Sequence, residues 1–286
     1  MLLERAQSER RARRAPLKTA WDVGRHRIIL GDCLEQMRLL PDASIDVCVT
    51  SPPYNIGAAY LSHDDRMPKD AYLTWMSAVA VEIARVLRPD GSFFLNVGST
   101  NIDPWLAMEV GQAFAGPFEL QNNIIWVKSV TVGGKTFGHF KPISSKRFLN
   151  NNFESIFHFT KSGKTAIDRL SIGVPFKDKS NIARWGHAQD RRCDGNVWFI
   201  PYKTVRSKAQ KFDHPAGFPV ELPLRCIAMH GKENAVVLDP FLGAGTVLVA
   251  AEQAGASGIG FEIDRTYAET AAARIGAEVP ECQRKN

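Results

Sequence analysis

The chain alternates between short apolar runs and longer stretches in which apolar positions recur every three or four residues. Short runs bounded by glycine, proline or acid predict buried strands, and the three-to-four spacing predicts amphipathic helices. Read this way, Arg27–Leu30 is a strand ending at Gly31-Asp32, Cys33–Leu40 a short helix and Ile45–Val49 a second strand. Ala71–Leu87 is a helix closed by the turn signal Arg88-Pro89-Asp90-Gly91, and Ser92–Val97 and Asn123–Val127 are strands. Phe153–Phe159 alternates well enough to be another strand, read as half of an antiparallel edge hairpin. Near the C-terminus, Pro219–Met229 is helical, Ala235–Leu238 a buried strand and Thr246–Ala254 a helix. Gly258–Phe261 is a strand closing on Glu262, and Tyr267–Ile275 is the last helix. Strands alternating with helices predict an α/β domain with a largely parallel sheet. From Thr160 to Lys211 the periodicity fades while Lys, Arg, Gly, Asn and Trp accumulate, as in an insertion.

A chain of 286 residues can bury a full core as one large domain. Its 44% hydrophobic and 23% charged residues are those of a water-soluble globule, and no apolar run reaches the roughly 20 residues that cross a bilayer. Residues 1–20 are basic and lack the apolar centre of a secretory signal, which predicts a solvated tail. The expected organisation is this tail, a first half over 21–160, an insert over 161–211 and a second half over 212–286. Five scattered cysteines (Cys33, Cys48, Cys193, Cys226 and Cys282) form no Cys-x-x-Cys pair or Cys/His cluster. No zinc site or disulfide framework is expected, only free thiols in a reducing cytoplasm. Charge is uneven: Val127 to Lys211 holds 17 Lys and Arg against 5 Asp and Glu, while the rest is net acidic. So basic a middle on an acidic body points to a polyanionic partner.

Two motifs carry chemistry. VVLDPFLGAGTVLVAAEQAG has strand, glycine turn and helix in order, followed by a strand that ends on Glu262. Such a unit binds nucleotides, with glycines admitting the ligand to the backbone and the acid accepting from ribose hydroxyls. The third glycine of a dinucleotide site is replaced by Leu248, and no Gly-Lys-Ser/Thr is present, so the expected ligand is a nucleoside without pyrophosphate. Asp239 at the strand end suits an ammonium group. The other motif is VTSPPYNIG, where two prolines and a tyrosine follow a core strand at once. It makes a stiff polar corner.

DPFLGAGT resembles the cofactor motif of S-adenosylmethionine-dependent DNA amino-methyltransferases, and TSPPY resembles their catalytic motif. The catalytic motif comes first, with a long region between, an order similar to the group called beta. The likeness runs from about Arg27 to Ile275. It implies a Rossmann-like, seven-stranded, mostly parallel sheet with the two motif strands side by side at its centre, and a target-recognition region inserted in the middle. It further implies that Asp239, Phe241, Gly243, Gly245 and Thr246 line the methionine end of the donor, that Pro215 and Phe218 of HPAGFP pack against that end, and that Thr50 also binds the cofactor. Glu262 would hold the ribose, and Asp32 and Cys33 would lie at the adenine.

The chemistry expected of the corner follows from the target. The lone pair of an exocyclic base amine is delocalised into its ring, and positive charge develops on nitrogen as it attacks a methyl group. Acceptors fixed in place, Ser51 Oγ and the Pro52 carbonyl, favour that change, while the prolines Pro52 and Pro53 hold them still. Tyr54 offers a face on which an extruded base stacks. Ser51 is not set up as a covalent nucleophile, because no Gly-x-Ser-x-Gly elbow surrounds it. In the resembling family Asp at the first position is usual for adenine N6 and Ser typical for cytosine N4, so the expected product is N4-methylcytosine, with adenine N6 as the alternative. Cytosine C5 chemistry is excluded, since it uses a cysteine that usually follows proline and no cysteine here does.

Arg184, Arg191, Arg192, Lys203, Arg206 and Lys208 are the expected DNA contacts, while Trp185 beside them is read first as a local packing anchor. The polar loop Ala58–Asp70 is a candidate cover for the base, with a disordered loop as the equal alternative. Duplex DNA is the expected partner; a homodimer is common in the resembling group. No nuclease motif is evident, so any restriction endonuclease partner is a separate chain. RNA or protein as substrate, and a DNA-binding regulator with an inert cofactor fold, are the competing readings.

Overall fold

In the computed structural model, residues 21–58, 60–138, 144–184, 186, 189–201 and 217–279 are described. The chain forms strands β1 (Trp21–Val23) and β2 (His26–Leu30), helix α1 (Cys33–Met37), strand β3 (Ile45–Thr50), helix α2 (Lys69–Val86) and strand β4 (Leu87–Val97). Helix α3 (Leu106–Phe114) and strand β5 (Glu119–Val127) follow, then a hairpin, β6 (Ser129–Val132) and β7 (Lys135–Gly138), and strand β8 (Phe153–Thr160). The rest comprises helix α4 (Ser180–Arg184), strand β9 (Val197–Phe199), helix α5 (Glu221–His230), strand β10 (Val236–Asp239), helix α6 (Thr246–Gln253), strand β11 (Ser257–Glu262) and helix α7 (Arg265–Glu278).

Nine of the strands make one sheet in the order β1-β2-β11-β10-β3-β4-β8-β5-β9. Strands β2, β11, β10, β3 and β4 are mutually parallel, and β8 is antiparallel to both neighbours. The expected α/β sheet of seven strands is thus present from β2 to β5, extended by two three-residue edges. The two motif strands, β3 and β10, are hydrogen-bonded neighbours.

Two expectations need correction. Phe153–Phe159 is not at an edge: β8 lies between β4 and β5. Its polar members are buried because they find partners, His158 bonding both Ser92 Oγ (3.2 Å) and Asn122 Nδ2 (2.9 Å), so polar alternation did not mean a solvent face. Arg88–Gly91 does not separate helix from strand either. β4 starts at Leu87, and because Ile45 pairs with Leu87 while Val47 pairs with Ser92, these four residues bulge out of a continuous strand.

Side chains alternate across the sheet and feed two cores. Val47, Val49 and Val237 pack with α5, α6 and α7, whereas Ile45, Cys48 and Leu238 pack with α1, α2 and α3. From Thr246 to Glu252 every residue of α6 is buried, as in a helix sunk between sheet and neighbouring helices. Cys33, Cys48 and Cys226 are buried free thiols and Cys193 an exposed one; Cys282 lies outside the described residues. No helix of the described residues is long and apolar enough to cross a membrane.

The β3–β10 seam is tied at both ends. At its start Asp46, 1% exposed, accepts from Val236 N (2.8 Å) and Arg88 Nη1 (2.6 Å) and pairs with Lys232. A buried carboxylate is tolerated when its oxygens are filled in this way. The other end lies at the chemistry.

Candidate active site

At the C-terminal end of the seam Thr50 Oγ1 donates to Asp239 Oδ1 at 2.6 Å, joining the two motifs directly. From β10 the chain turns through α6 to β11 on one side, and from β3 through α2 to β4 on the other. The crevice between diverging connections is where open α/β sheets bind ligands.

On the β10 side the glycine turn is built as a cradle. Gly243 (φ +52°) and Gly245 (φ +81°) adopt left-handed backbone, the latter at the start of α6. Gly243 N and Asp264 N donate to the two oxygens of Glu262 at 2.8 and 2.9 Å. Burial pushes the Glu262 carboxyl up, opposed by those amides. Burial also raises Asp239, to about 7, against the lowering pull of the Thr50 hydroxyl and Phe241 N, with the Glu262 charge adding to the rise. Two buried carboxylates at the ends of adjacent strands make this corner electron-rich and suited to a cation. Asp32 accepts from Leu34 N (2.9 Å) and Glu35 N (3.1 Å) as the cap of α1, and Gly31 N bonds the Glu262 carbonyl at 2.8 Å. Burial first, then the Asp32 charge, pushes the Cys33 thiol well up, so it stays protonated. Phe241 meets Trp75 edge-on at 5.5 Å, Thr246 Oγ1 accepts from Arg274 at 3.2 Å, and Phe218 packs on the core that holds α5. Pro215 lies outside the described residues.

On the β3 side Pro52 is buried while Ser51, Pro53 and Tyr54 are partly exposed. Ser51 Oγ lies 2.8 Å from Tyr54 Oη, and Tyr54 Oη donates to Glu154 Oε2 at 3.0 Å. Asn96 Nδ2 reaches Tyr54 Oη (3.0 Å) and Glu154 Oε2 (2.8 Å), and Lys128 Nζ pairs with Glu154 Oε1 at 2.9 Å. The Pro53 carbonyl accepts from Tyr72 Oη at 2.8 Å; among the described residues no donor reaches the Pro52 carbonyl. Asn96, Lys128 and Glu154 were not among the expected site residues. Their only sequence signal is a polar residue near the end of an apolar strand.

The loop after the corner is anchored. Asp65, 2% exposed, accepts from the backbone of Asn55, Ile56 and Ala58, and Asn55, itself left-handed, exchanges two hydrogen bonds with Met67. The loop then crosses to the other motif, where Ser62 Oγ bonds Asp264 at the start of α7. Tyr60, His63 and Trp75 continue as ring contacts of 5.9 and 5.6 Å toward Phe241.

The expected DNA contacts are dispersed. Arg191 bonds the carbonyls of Ser171 and Gly173, Arg192 that of Cys193, and Arg184 ends the exposed helix α4. Among the described residues none of the three bonds to the corner or the glycine turn. Trp185, Lys203, Arg206 and Lys208 lie outside the described residues.

A family model described as DNA methylase matches residues 45–273. The DNA adenine methyltransferase YhdJ of Escherichia coli K12 is 27% identical over 257 residues, 87% of this chain and 82% of YhdJ. Among solved structures, the cytosine-N4-specific PvuII DNA methyltransferase superposes with a TM-score of 0.69 at 21% identity, covering 90% of this chain and 88% of that one. A DNA modification methylase of Thermus thermophilus, TTHA0409, solved with S-adenosyl-L-methionine, superposes with a TM-score of 0.58 at 26% identity over 90% of this chain and 95% of its own.

Proposed function

We propose, from the premise that this chain belongs to the DNA methylase family that its residues 45–273 match, that it methylates N4 of cytosine in duplex DNA. It is a DNA methyltransferase of the N4/N6 amino type, and its cofactor is S-adenosyl-L-methionine. The residues at the glycine turn fit that cofactor: a diol suits Glu262, an ammonium suits buried Asp239, and left-handed glycines leave the backbone open between them. When bound, the cofactor supplies an electrophilic methyl group on a sulfonium. Ser51 is the observation that carries the choice of base, since it stands where Ser is typical of cytosine N4 enzymes, next to the Thr50–Asp239 link. The likeness to YhdJ, a DNA adenine methyltransferase, supports adenine N6 as the second reading.

The chain's own residues then do three things. Asp239 and Glu262 fix the donor, and the Thr50–Asp239 bond sets its distance from the corner. Tyr54 stacks the extruded base. Ser51 Oγ and the Pro52 carbonyl accept from the amine, which favours the tetrahedral nitrogen that attacks. DNA lies over the C-terminal edge of the sheet, where β6–β7 rises beside Lys128. Val132 to Gly138 are all exposed, and a two-stranded ribbon fits a major groove. Lys128, Lys135, Lys146 and Arg147 fall in a stretch without an acid, so these residues and the ribbon join the insert's arginines as a DNA face.

The test is to incubate the protein with duplex DNA and methyl-tritiated S-adenosylmethionine, digest the DNA and separate the nucleosides. Label in N4-methyldeoxycytidine is expected. Label in N6-methyldeoxyadenosine overturns the base, and unlabelled DNA overturns the reaction.

Donor affinity has a defined pH dependence. In the free protein Asp239 titrates at about 7, whereas a bound ammonium holds it ionised. The complex therefore carries fewer protons, and affinity falls as pH drops below 7, toward about tenfold per unit. Calorimetric titration at several pH values below 7 reads this directly, and Asp239→Asn flattens the curve. An unchanged slope in Asp239→Asn would remove Asp239 from the donor site.

A further inference from the structure

We infer that Glu154 acts through Tyr54 on Ser51, first turning the Ser51 hydroxyl into a pure acceptor and then receiving the proton that the target amine gives up. The inference rests on the methyltransferase reading above and deepens it.

Hydrogen counting sets the direction. An ionised Glu154 has no hydrogen to offer, and Lys128 occupies its other oxygen at 2.9 Å. The single Tyr54 hydrogen goes to Glu154 Oε2 at 3.0 Å, where the acceptor is charged, rather than to the Asn96 carbonyl at 3.4 Å. The 2.8 Å contact between Ser51 and Tyr54 must then be made by the Ser51 hydrogen. Asn96 reinforces this order: its Nδ2 faces Glu154 Oε2 (2.8 Å), Tyr54 Oη (3.0 Å) and Ser51 Oγ (3.4 Å), and its two hydrogens go to the two shorter contacts. The opposite amide orientation would set Oδ1 against a carboxylate oxygen. Every hydrogen in the chain therefore points toward Glu154, and although Asn96 Nδ2 approaches Ser51 Oγ at 3.4 Å, Ser51 Oγ keeps a lone pair for the cleft. A free serine would present hydrogen or lone pair indifferently. This one is committed.

The same chain disposes of a proton. As the amine lone pair forms the new N–C bond, the electrons of the methyl–sulfur bond return to sulfur and nitrogen becomes cationic with two N–H bonds. One N–H bond breaks, leaving its electron pair on nitrogen, and the proton passes to Ser51 Oγ. The Ser51 hydroxyl proton passes to Tyr54, and the Tyr54 proton to Glu154. The products are a neutral methylated amine, unchanged Ser51 and Tyr54, and a carboxylic acid at Glu154 that returns its proton to solvent before the next turnover. Burial and the Glu154 charge push the Tyr54 phenol well above its usual range, so Tyr54 hands a proton on rather than staying ionised. Among the described residues no histidine hydrogen-bonds Ser51, so the relay has no local competitor.

Tyr54→Phe keeps the stacking ring and removes only the link, and Glu154→Gln keeps the shape and removes the charge. Single-turnover methylation of duplex DNA by each variant, and by the double variant, tests the chain together with donor affinity and melting temperature. Each single variant is expected to slow the step about 100-fold with donor affinity within a fewfold of wild type. The double variant is expected to be scarcely slower than the worse single, because both changes break one chain. Losses that multiply, or Tyr54→Phe at the wild-type rate, overturn the relay. If Glu154→Gln does not fold, Tyr54→Phe decides alone, since its rate tells a working link from a purely stacking tyrosine. A wild-type protein that labels no DNA overturns the methyltransferase reading and the relay with it, whereas an active wild type with an equally active Tyr54→Phe overturns the relay only.

Discussion

Replacing Ser51 by alanine is expected to lower the single-turnover rate of methyl transfer by about 10²–10³-fold, with donor affinity held within a fewfold. The change removes the proposed acceptor for the target amine and leaves the corner's supports in place. Tyr72 still holds the Pro53 carbonyl, Asp65 still holds the backbone of Asn55, and Thr50 still bonds Asp239. The Pro52 carbonyl remains, so activity is weakened to a trace rather than lost by collapse. A loss confined to the chemical step is the mark of an interaction made in the transition state. Quench-flow measurement with saturating donor and duplex DNA provides the rate. A Ser51→Ala protein within a fewfold of wild type would show that the amine is oriented by something else.

Gly245→Val has the largest expected effect on stability. Gly245 sits at φ +81°, a conformation that a β-branched residue resists, and a Cβ there would meet Ala271 Cβ at 2.8 Å and Ala271 Cα at 3.0 Å. Ala271 is in the middle of α7 and fully buried, so relief requires α6 and α7 to separate. Backbone strain and overpacking together cost about 3–5 kcal/mol, which lowers the melting temperature of a chain this size by roughly 10 °C. Donor binding weakens as well, because the same turn carries Gly243 N to Glu262. Calorimetry and donor titration check both parts. A melting temperature unchanged from wild type would mean that the turn can relax without moving α7.

The parts of the molecule legible in the sequence were those where a local rule and the global fold agree. VVLDPFLGAGT reads as strand, turn and helix because left-handed positions demand glycine and α6 is buried along almost its whole length. TSPPY was visible because two prolines cannot continue β3. Where local and global signals part, the local pattern misleads. Phe153–Phe159 alternates like a half-exposed strand, but His158 and Ser155 are buried polar residues held by neighbours that no local rule names. The β6–β7 hairpin carried a usable cue, Gly133-Gly134 between alternating segments, and both glycines are left-handed in the turn. Glu154 and Lys128 lie 26 residues apart, and they meet Asn96 and Tyr54 only because β8 runs antiparallel beside β4. Pairing of that kind belongs to sheet topology.

The placement of β10 has a consequence for how the protein comes into being. Thr50 and its partner Asp239 are 189 positions apart, and β10 enters between β3 and β11 after most of the chain has been made. On the ribosome, β3 emerges early with one edge open, and its valines wait for a neighbour made late, with only α6, β11 and α7 to follow among the described elements. Pairing of such distant segments is slow and comes late in folding. A chain truncated before Val236 keeps its proline corner but has nothing opposite it, so an unfinished molecule has no means of marking DNA.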